Sequence, residues 1–317
     1  MQPPNPDPTI GPASPARRED KPLRGMALRL ISMLFLTAMF ALGKLVADRG
    51  VLLVETIFYR QAFALPMVFM LVALTNGPHA LRTARIGRHG LRAMIGMVGM
   101  AFNFGAFILL PLTEATTIGF TMPIFATLLA VPLLREVPGI HRWSAIVIGF
   151  IGILIVARPD TAHFPPLGLA VAITGAILTA IINLVVRDLS RTENPTVIVF
   201  WFTLLSMPPL GLAMLYLGRS HDPLTWGLLV LIGLTGCTAQ LLMTAALRWA
   251  PVSVVLGMDY SSILWATLLG LVFWGEWPLA STWIGGILII GSGLYIARRE
   301  HRSARRARLN PAAPPPG

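Results

Sequence analysis

Long apolar segments alternate with short polar connections along most of the chain. Ten segments approach the roughly 20 apolar residues that a helix needs to cross a membrane. They are residues 26–46, 55–74, 91–110, 115–134, 143–157, 167–186, 196–217, 224–247, 252–274 and 283–297. The connections hold turn-forming residues such as Asn76, Gly77 and Pro78. Because backbone polar groups in lipid must be satisfied within the spanning structure, we predict helices here and not an open sheet.

Composition agrees with a membrane protein. The chain of 317 residues is 55% hydrophobic and 12% charged, whereas a soluble domain carries about a quarter charged residues. We therefore expect an all-α integral membrane protein with ten transmembrane helices. The ends, residues 1–24 and 300–317, are rich in proline and charge, which predicts disordered tails.

The positive charges predict an orientation. If the N-terminus is cytoplasmic, 20 Lys and Arg residues lie in cytoplasmic connections and tails and three lie outside. This bias follows the positive-inside rule. It predicts a multi-pass protein of the inner membrane with both termini in the cytoplasm. The net charge of +11 then reports topology and contact with anionic lipid. We expect membrane lipid as a partner and no nucleic acid.

The sequence also repeats itself at an offset of 140 residues. Matched pairs include Gly96 with Gly236, Pro111 with Pro251, Glu136 with Glu276, and Trp143 with Trp283. Each copy holds five spans, so the second copy enters the membrane from the opposite side. Two inverted five-helix repeats, residues 25–158 and 159–299, are therefore predicted, an architecture typical of secondary transporters.

Short motifs in both halves resemble a known family. In the first half they are Tyr59-Arg60, Pro123, Glu136, Gly149 and Gly152; in the second they are Asp259-Tyr260-Ser261-Ser262, Trp265-Ala266, Phe273-Trp274-Gly275-Glu276 and Gly285-Gly286. The chain resembles the drug/metabolite transporter superfamily, in particular proteins with two EamA-like domains. It departs at Arg135, where the family usually has glycine. The resemblance implies transport of small organic solutes such as amino acids, nucleobases, vitamins or cationic metabolites.

Charged residues within the spans are candidates for function, because each costs about 2.5–3.5 kcal/mol at the bilayer centre. Arg60 and Glu114 are both assigned to the outer third of the membrane, and we expect them to form a gate pair. Lys44, near the outer end of the first span, is expected to reach the headgroups. Asp259 lies seven residues into the ninth span, about 10 Å deep.

At that depth Asp259 needs a cation, which a substrate ammonium, a protein arginine or a coupling proton can supply. The hypothesis is that Asp259 binds a positive substrate group or carries the coupling proton. Neutral polar and aromatic residues complete the candidate binding or coupling set, although helix packing is their commoner role. These residues are Tyr260, Trp265, Asn103, Phe107, Phe120, Gln240 and Trp201.

Other function classes fit the sequence less well. No phosphate-binding loop surrounds Lys21 or Lys44, and no histidine precedes glutamate in a zinc-protease motif. His79 and His89 lie in a basic connection and are expected to be solvated. We therefore expect no catalytic residues, no cofactor and no metal. A passive channel, a membrane scaffold and a membrane enzyme remain as alternatives, and the substrate, transport direction, coupling ion and choice between monomer and homodimer stay open.

Overall fold

The computed structural model describes residues 22–75, 77–134, 140–157, 165–190, 192–246 and 258–309. Every regular element in these ranges is helical, with no strand among them. The predicted all-α class is confirmed for this part of the chain. Both distal tails and Arg135, Glu136 and Pro251 fall outside the described residues.

The first half consists of helices joined by short connections. Its helices are α1 (Pro22–Asp48), α2 (Leu53–Thr75), α3 (Ile86–Leu109), α4 (Leu112–Gly119), α5 (Met122–Leu134) and α6 (Ile140–Ala157). A short 3-10 helix, Pro78–Leu81, lies between α2 and α3. The apolar segments predicted in this half therefore lie on helices, apart from a break between α4 and α5.

The second half is also helical in its described residues. Its helices are α7 (Pro166–Leu189), α8 (Pro195–Leu217), α9 (Pro223–Ala246), α10 (Ser261–Trp274) and α11 (Ala280–Leu309), with a 3-10 turn, Met258–Tyr260, before α10. Proline begins α7, α8 and α9, where its missing N–H breaks no helical hydrogen bond. The last helix continues ten residues beyond the boundary at 299 that separates the predicted second repeat from its tail.

Seven helical segments within the described ranges are long and apolar enough to cross a membrane. Three shorter apolar helices, Trp143–Val156, Met258–Trp274 and Ala280–Tyr295, lie where the fifth, ninth and tenth spans are predicted. Many large apolar side chains point outward, including Leu74, Leu215 and Leu224, as expected of helices that face lipid. The chain is a multi-pass membrane protein.

The fourth predicted span, residues 115–134, is interrupted. Helix α4 ends at Gly119, and α5 begins at Met122. The Phe120 N–H contacts the carbonyls of both Thr116 and Thr117, so the chain tightens locally before it continues. Pro123 then lies in the first turn of α5, where proline is tolerated. A continuous span was predicted because the hydrophobicity does not change at this break.

Helices from the two halves pack against one another throughout. Helix α1 packs on α9, α3 on α7, α2 on α8 and α6 on α11. At the α6–α11 contact, Gly152 and Gly285 face each other, and a Cβ on Gly285 would lie 2.5 Å from the Gly152 carbonyl oxygen. The six helices α1, α2, α3, α7, α8 and α9 surround an internal cavity.

Candidate functional site

A cavity of about 220 Å³ lies among these six helices. Its wall combines aromatic and aliphatic side chains with a few polar groups, including Arg60, Arg92, Asn103, Phe202 and Gln240. A mostly apolar cavity with convergent polar groups is the usual form of a small-molecule site. The cavity wall also contains Cys237, which is the chain's single cysteine.

Arg60 reaches the cavity from α2 and has neutral partners. Its Nη1 donates to Gln61 Oε1 at 2.6 Å, and its Nε lies 3.3 Å from Met39 Sδ, which is a weak acceptor. Gly236 on α9 leaves room for this arrangement, since a Cβ there would lie 2.7 Å from the same sulfur and 3.4 Å from Arg60 Nε. The guanidinium therefore enters the cavity wall without a carboxylate partner.

Arg92 enters from α3. Its guanidinium carbon lies 4.3 Å from the centre of the Phe202 ring, a cation–π distance. Its Nε and Nη1 are buried and have no hydrogen-bond partner. A Cβ at Gly96, one turn further along α3, would lie 2.1 Å from Arg92 Nη1 and 2.6 Å from the Phe202 ring. Glycine at position 96 thus makes room for both side chains.

The cavity wall is basic. It contains two arginines and, among its described residues, no aspartate or glutamate. Asn103 supplies a neutral polar group whose amide donates to the Gly99 carbonyl at 2.8 Å and to Thr179 Oγ1 at 3.1 Å. These contacts hold the Asn103 side chain between α3 and α7.

An ion pair lies beyond one end of the cavity. Arg29 on α1 donates from Nε to Asp259 Oδ1 at 2.5 Å and from Nη2 to Asp259 Oδ2 at 2.7 Å. We call these two residues the Arg29 pair. The structure thus gives Asp259 a protein cation, one of the three partners considered above, and Asp259 is not among the cavity-lining residues.

A second charged group lies near the opposite end of α1, and we call it the Lys44 cluster: Lys44, Glu114, Glu276 and Thr282. Lys44 Nζ donates to Glu276 Oε1 at 2.8 Å and to the Leu110 carbonyl at 3.1 Å. Thr282 donates to Glu114 Oε1 at 3.0 Å, while Glu114 Oε2 is buried without a partner. Lys44 is 7% exposed, so the expectation that it reaches the headgroups is wrong.

Other candidate residues are divided among separate places. Arg60, Asn103 and Gln240 line the cavity, whereas Arg60 and Glu114 contact different partners and are not brought together in this conformation. Phe107 stacks on Phe40, with ring centres 4.3 Å apart, and Phe40 lines the cavity. The predicted gate pair is therefore not formed here.

The remaining aromatic candidates lie outside the cavity wall. Phe120 packs on Tyr260 with ring centres 4.9 Å apart. Trp201 donates its indole N–H to the Leu81 carbonyl at 3.2 Å, while the indole nitrogen of Trp265 is buried without a partner. These contacts give Phe120, Tyr260 and Trp201 packing or anchoring roles in this conformation.

Sequence reasoning missed Arg92, because it was counted as a charge of the cytoplasmic connection. The signal available was Gly96 four residues later, which matches Gly236 beside Arg60 in the repeat. His89 was also misjudged, since it is fully buried and its Nε2 lies 3.8 Å from Glu193 Oε1. No group of three metal-binding side chains occurs within the described ranges.

Comparison with known proteins places these features in context. The model of the EamA-like transporter family matches the chain twice, at residues 23–158 and 166–298. A riboflavin transporter of Vibrio cholerae is 28% identical over 251 residues, which cover 78% of this chain and 84% of the relative. An S-adenosylmethionine uptake transporter of Rickettsia prowazekii is 26% identical, with coverages of 78% and 84%.

A pseudopaline exporter of Pseudomonas aeruginosa is 25% identical over 281 residues, covering 87% of this chain and 96% of the relative. A solved crystal structure also aligns with the chain at a TM-score of 0.55 and 22% identity, covering 88% of this chain and 97% of the other. That likeness establishes a shared fold, and the named relatives are all transporters.

Proposed function

The chain belongs to the EamA-like transporter family, and on this premise we propose that it is a secondary carrier working by alternating access. It moves a small organic metabolite, and its family and relatives are those of transporters and not of enzymes. The observation that carries the mechanism is the arrangement along α1. Residues Leu36, Met39 and Phe40 line the cavity, with Arg29 on one side of them and Lys44 on the other.

The cavity therefore lies between two ionic contacts. Arg29 and Lys44 are 15 residues apart, which corresponds to about 22 Å along a helix. Each connects α1 to the segment around α10: Arg29 contacts Asp259 before α10, and Lys44 contacts Glu276 after it. Opening one contact while the other stays closed would expose the cavity to one side of the membrane at a time.

Helix packing supports the proposed layout of ten spans in two inverted repeats, residues 25–158 and 159–299. The contact of α3 with α7 has its counterpart in the contact of α9 with α1, and α2–α8 and α6–α11 each join equivalent helices. Gly96 and Gly236, one in each repeat, both create room beside an arginine of the cavity. A pseudo-two-fold axis in the membrane plane produces this correspondence.

The charge bias supports an orientation with both termini in the cytoplasm of the inner membrane. The Arg29 pair is then cytoplasmic and the Lys44 cluster faces the outside. Reporter fusions within residues 218–222 and after residue 309 should report opposite sides. A result with both reporters on one side would contradict the layout of ten spans.

Transport itself is tested with the full chain in liposomes. Riboflavin, S-adenosylmethionine and pseudopaline, which the relatives' names supply, are the first solutes, followed by a pool of bacterial metabolites. A carrier gives saturable uptake that accelerates when unlabelled solute is loaded on the opposite side. A channel, the alternative function, gives flux that rises linearly with concentration and shows no such acceleration.

A further inference from the structure

We propose that the cavity recognises an anionic group on the transported molecule, a carboxylate or a phosphate, through Arg60 and Arg92. This inference rests on the carrier function above and specifies its substrate class. The juxtaposition that carries it is two arginines in one cavity wall that lacks a carboxylate among the described residues.

The first argument comes from the unused donors of Arg92. A buried N–H without a partner costs about 1–3 kcal/mol, and more when the group is charged. Arg92 leaves Nε and Nη1 in that condition, and its contact with Phe202 covers only a face of the guanidinium. These in-plane donors have no acceptor in the protein, and a planar fork of N–H groups matches carboxylate and phosphate oxygens.

The second argument compares Arg60 and Arg92 with the other cations of the spans. Arg29 and Lys44 each have a carboxylate partner, Asp259 and Glu276 respectively. Arg60 instead contacts an amide oxygen and a thioether sulfur. Because intramembrane charges normally pair, two cations left in one cavity indicate that the missing anion arrives with the substrate.

The rest of the wall limits the shape of that molecule. About 220 Å³ is below the 300–1,000 Å³ typical of sites for drug-sized ligands. Phe40 and Phe202 provide aromatic surface, and Asn103 and Thr179 provide neutral polar contacts. We therefore expect a small organic acid or phosphate ester with an apolar or ring-bearing body.

The cavity contains its own reporter, since Cys237 lies in its wall and is the only cysteine of the chain. Protein in nanodiscs of zwitterionic lipid is reacted with methanethiosulfonates that carry a sulfonate, a trimethylammonium or no charge. Each rate is divided by the rate with free cysteine. We expect the normalised sulfonate rate to exceed the normalised ammonium rate roughly tenfold or more. The reason is that two cations act at short range in a cavity partly shielded from bulk water.

Variants then assign the preference to the two arginines. Arg60→Gln and Arg92→Gln should each lower the sulfonate-to-ammonium ratio several-fold, whereas Arg219→Gln, on an exposed connection, should leave it unchanged. Gly96→Ala displaces the Arg92 guanidinium without removing its charge and should lower the ratio too. Gly90→Ala on the same helix has open space around its Cβ position and is the matched control.

Ligand pairs test binding with two readouts, of which the thermal shift does not depend on Cys237. Benzoate is compared with benzamide and phenyl phosphate with phenol, by thermal shift and by protection of Cys237 from labelling. We expect the acid of at least one pair to raise the melting temperature in the parent and not in Arg92→Gln. Benzoate and phenyl phosphate separate the two anionic groups, and adding phosphatidylglycerol to the nanodiscs tests whether a lipid headgroup competes for the cavity.

Two results of the labelling and binding experiments would overturn the inference. One is a sulfonate-to-ammonium ratio near one in the parent, or a ratio that both glutamine variants leave unchanged. The other is absence of labelling at Cys237 together with equal thermal shifts for acids and their uncharged analogues. Saturable transport of neutral or cationic solutes alone would also refute the anion site while leaving the carrier function intact. Anion binding without transport in liposomes would support the anion site and refute the carrier function.

Discussion

Arg29 and Asp259 form a two-point ion pair in which both nitrogens of one guanidinium edge contact both oxygens of one carboxylate. The side chains are 7% and 24% exposed, so the pair is partly shielded from water. A fork-to-fork contact of this kind is directional as well as strong. It connects α1 to the turn before α10 and must separate if that end of the cavity opens.

We predict that reversing one charge of this pair impairs transport and that reversing both restores part of it. Asp259→Arg alone sets two cations against each other, and removing a partner from a fully buried pair costs about 3–5 kcal/mol. Partial exposure makes the expected cost smaller here. Initial uptake rates and melting temperatures of Arg29→Asp, Asp259→Arg and the double variant give the comparison.

The swap is informative only if all three proteins reach the membrane in similar amounts, which fluorescence-detected gel filtration measures. Asp222→Arg with Arg49→Asp, an exposed pair at 51% and 40% exposure, is the matched control and should transport like the parent. A double variant no better than the worse single variant would mean that Asp259 acts on something other than Arg29.

We also predict that weakening the two ends exposes the cavity to opposite sides. Asp259→Asn loosens the Arg29 pair, and Glu276→Gln loosens the Lys44 cluster by weakening its contact with Lys44 Nζ. An impermeant maleimide applied to inside-out vesicles should label Cys237 faster in the first variant. Applied to spheroplasts, it should label Cys237 faster in the second.

Cys237→Ser provides the background for both preparations, because the chain has no other cysteine. Asp222→Asn, at an exposed ion pair outside both gates, should resemble the parent. Faster labelling from the same side in both variants would contradict alternating access about this cavity, and would favour a channel.

Helix positions were predictable because a helix that crosses lipid requires a long apolar segment, and such segments can be identified directly in the sequence. Local backbone changes that depend on a few atoms could not be predicted in this way. The break after Gly119 interrupts a segment of uniform hydrophobicity, and only Gly119 and Pro123 signal it. The tight turn at Gly275 is easier to recognise from the sequence. Glycine there adopts φ +66°, a conformation that residues with side chains rarely adopt.

Partners within the membrane were harder to predict than the charges themselves. Asp259 was recognised as requiring a cation, but Arg29 lies 230 residues away in sequence and was counted only as a cytoplasmic charge. Arg60 was placed in the outer third by counting residues from the helix end. That count says nothing of its side-chain direction, which is toward Met39 and Gln61 and depends on how α2 is rotated against α1 and α9.

Asp222, before the first residue of α9, should stabilise the fold at neutral pH and lose that effect only at low pH. The hydrogen bond from Thr225 Oγ1, at 2.6 Å, and next the contact with Arg49 lower the pKa of Asp222 from 3.8 to about 2. A depressed carboxyl pKa stabilises the fold above the unfolded-state value and loses that effect as pH falls through the folded-state value. The difference in melting temperature between the parent and Asp222→Asn should be constant from pH 8 to about 5.

Below about pH 4 that difference should shrink toward zero as pH approaches 2. Asparagine keeps a side-chain oxygen that can accept from the Thr225 N–H at the start of α9. This variant therefore isolates the effect of the Asp222 charge. Differential scanning fluorimetry in an acid-tolerant detergent measures it, with Arg219→Gln as a nearby exposed control. A difference that changed mainly between pH 8 and 5 would show that another group titrates in response to the substitution.

The contact of α6 with α11 should depend on glycine at one position and not at another on the same helix. A Cβ at Gly285 would lie 2.5 Å from the Gly152 carbonyl oxygen and 2.6 Å from Val156 Cγ2, whereas a Cβ at Gly291 would meet nothing within 4 Å. Backbone atoms cannot move aside as the end of a flexible side chain can. Overpacking of this kind costs about 1–3 kcal/mol, so Gly285→Ala should lower the melting temperature by several degrees.

Gly291→Ala should leave the melting temperature unchanged or raise it slightly, because alanine favours a helix over glycine by roughly 0.5–1 kcal/mol. Gly152→Ala, whose Cβ would lie 2.9 Å from the Gly285 carbonyl oxygen, should behave like Gly285→Ala. Thermal unfolding of the three variants in one detergent compares them directly. If Gly285→Ala and Gly291→Ala unfold at the same temperature, the two helices are not in the close backbone contact seen here, and the proposed packing of two repeats loses one of its supporting contacts.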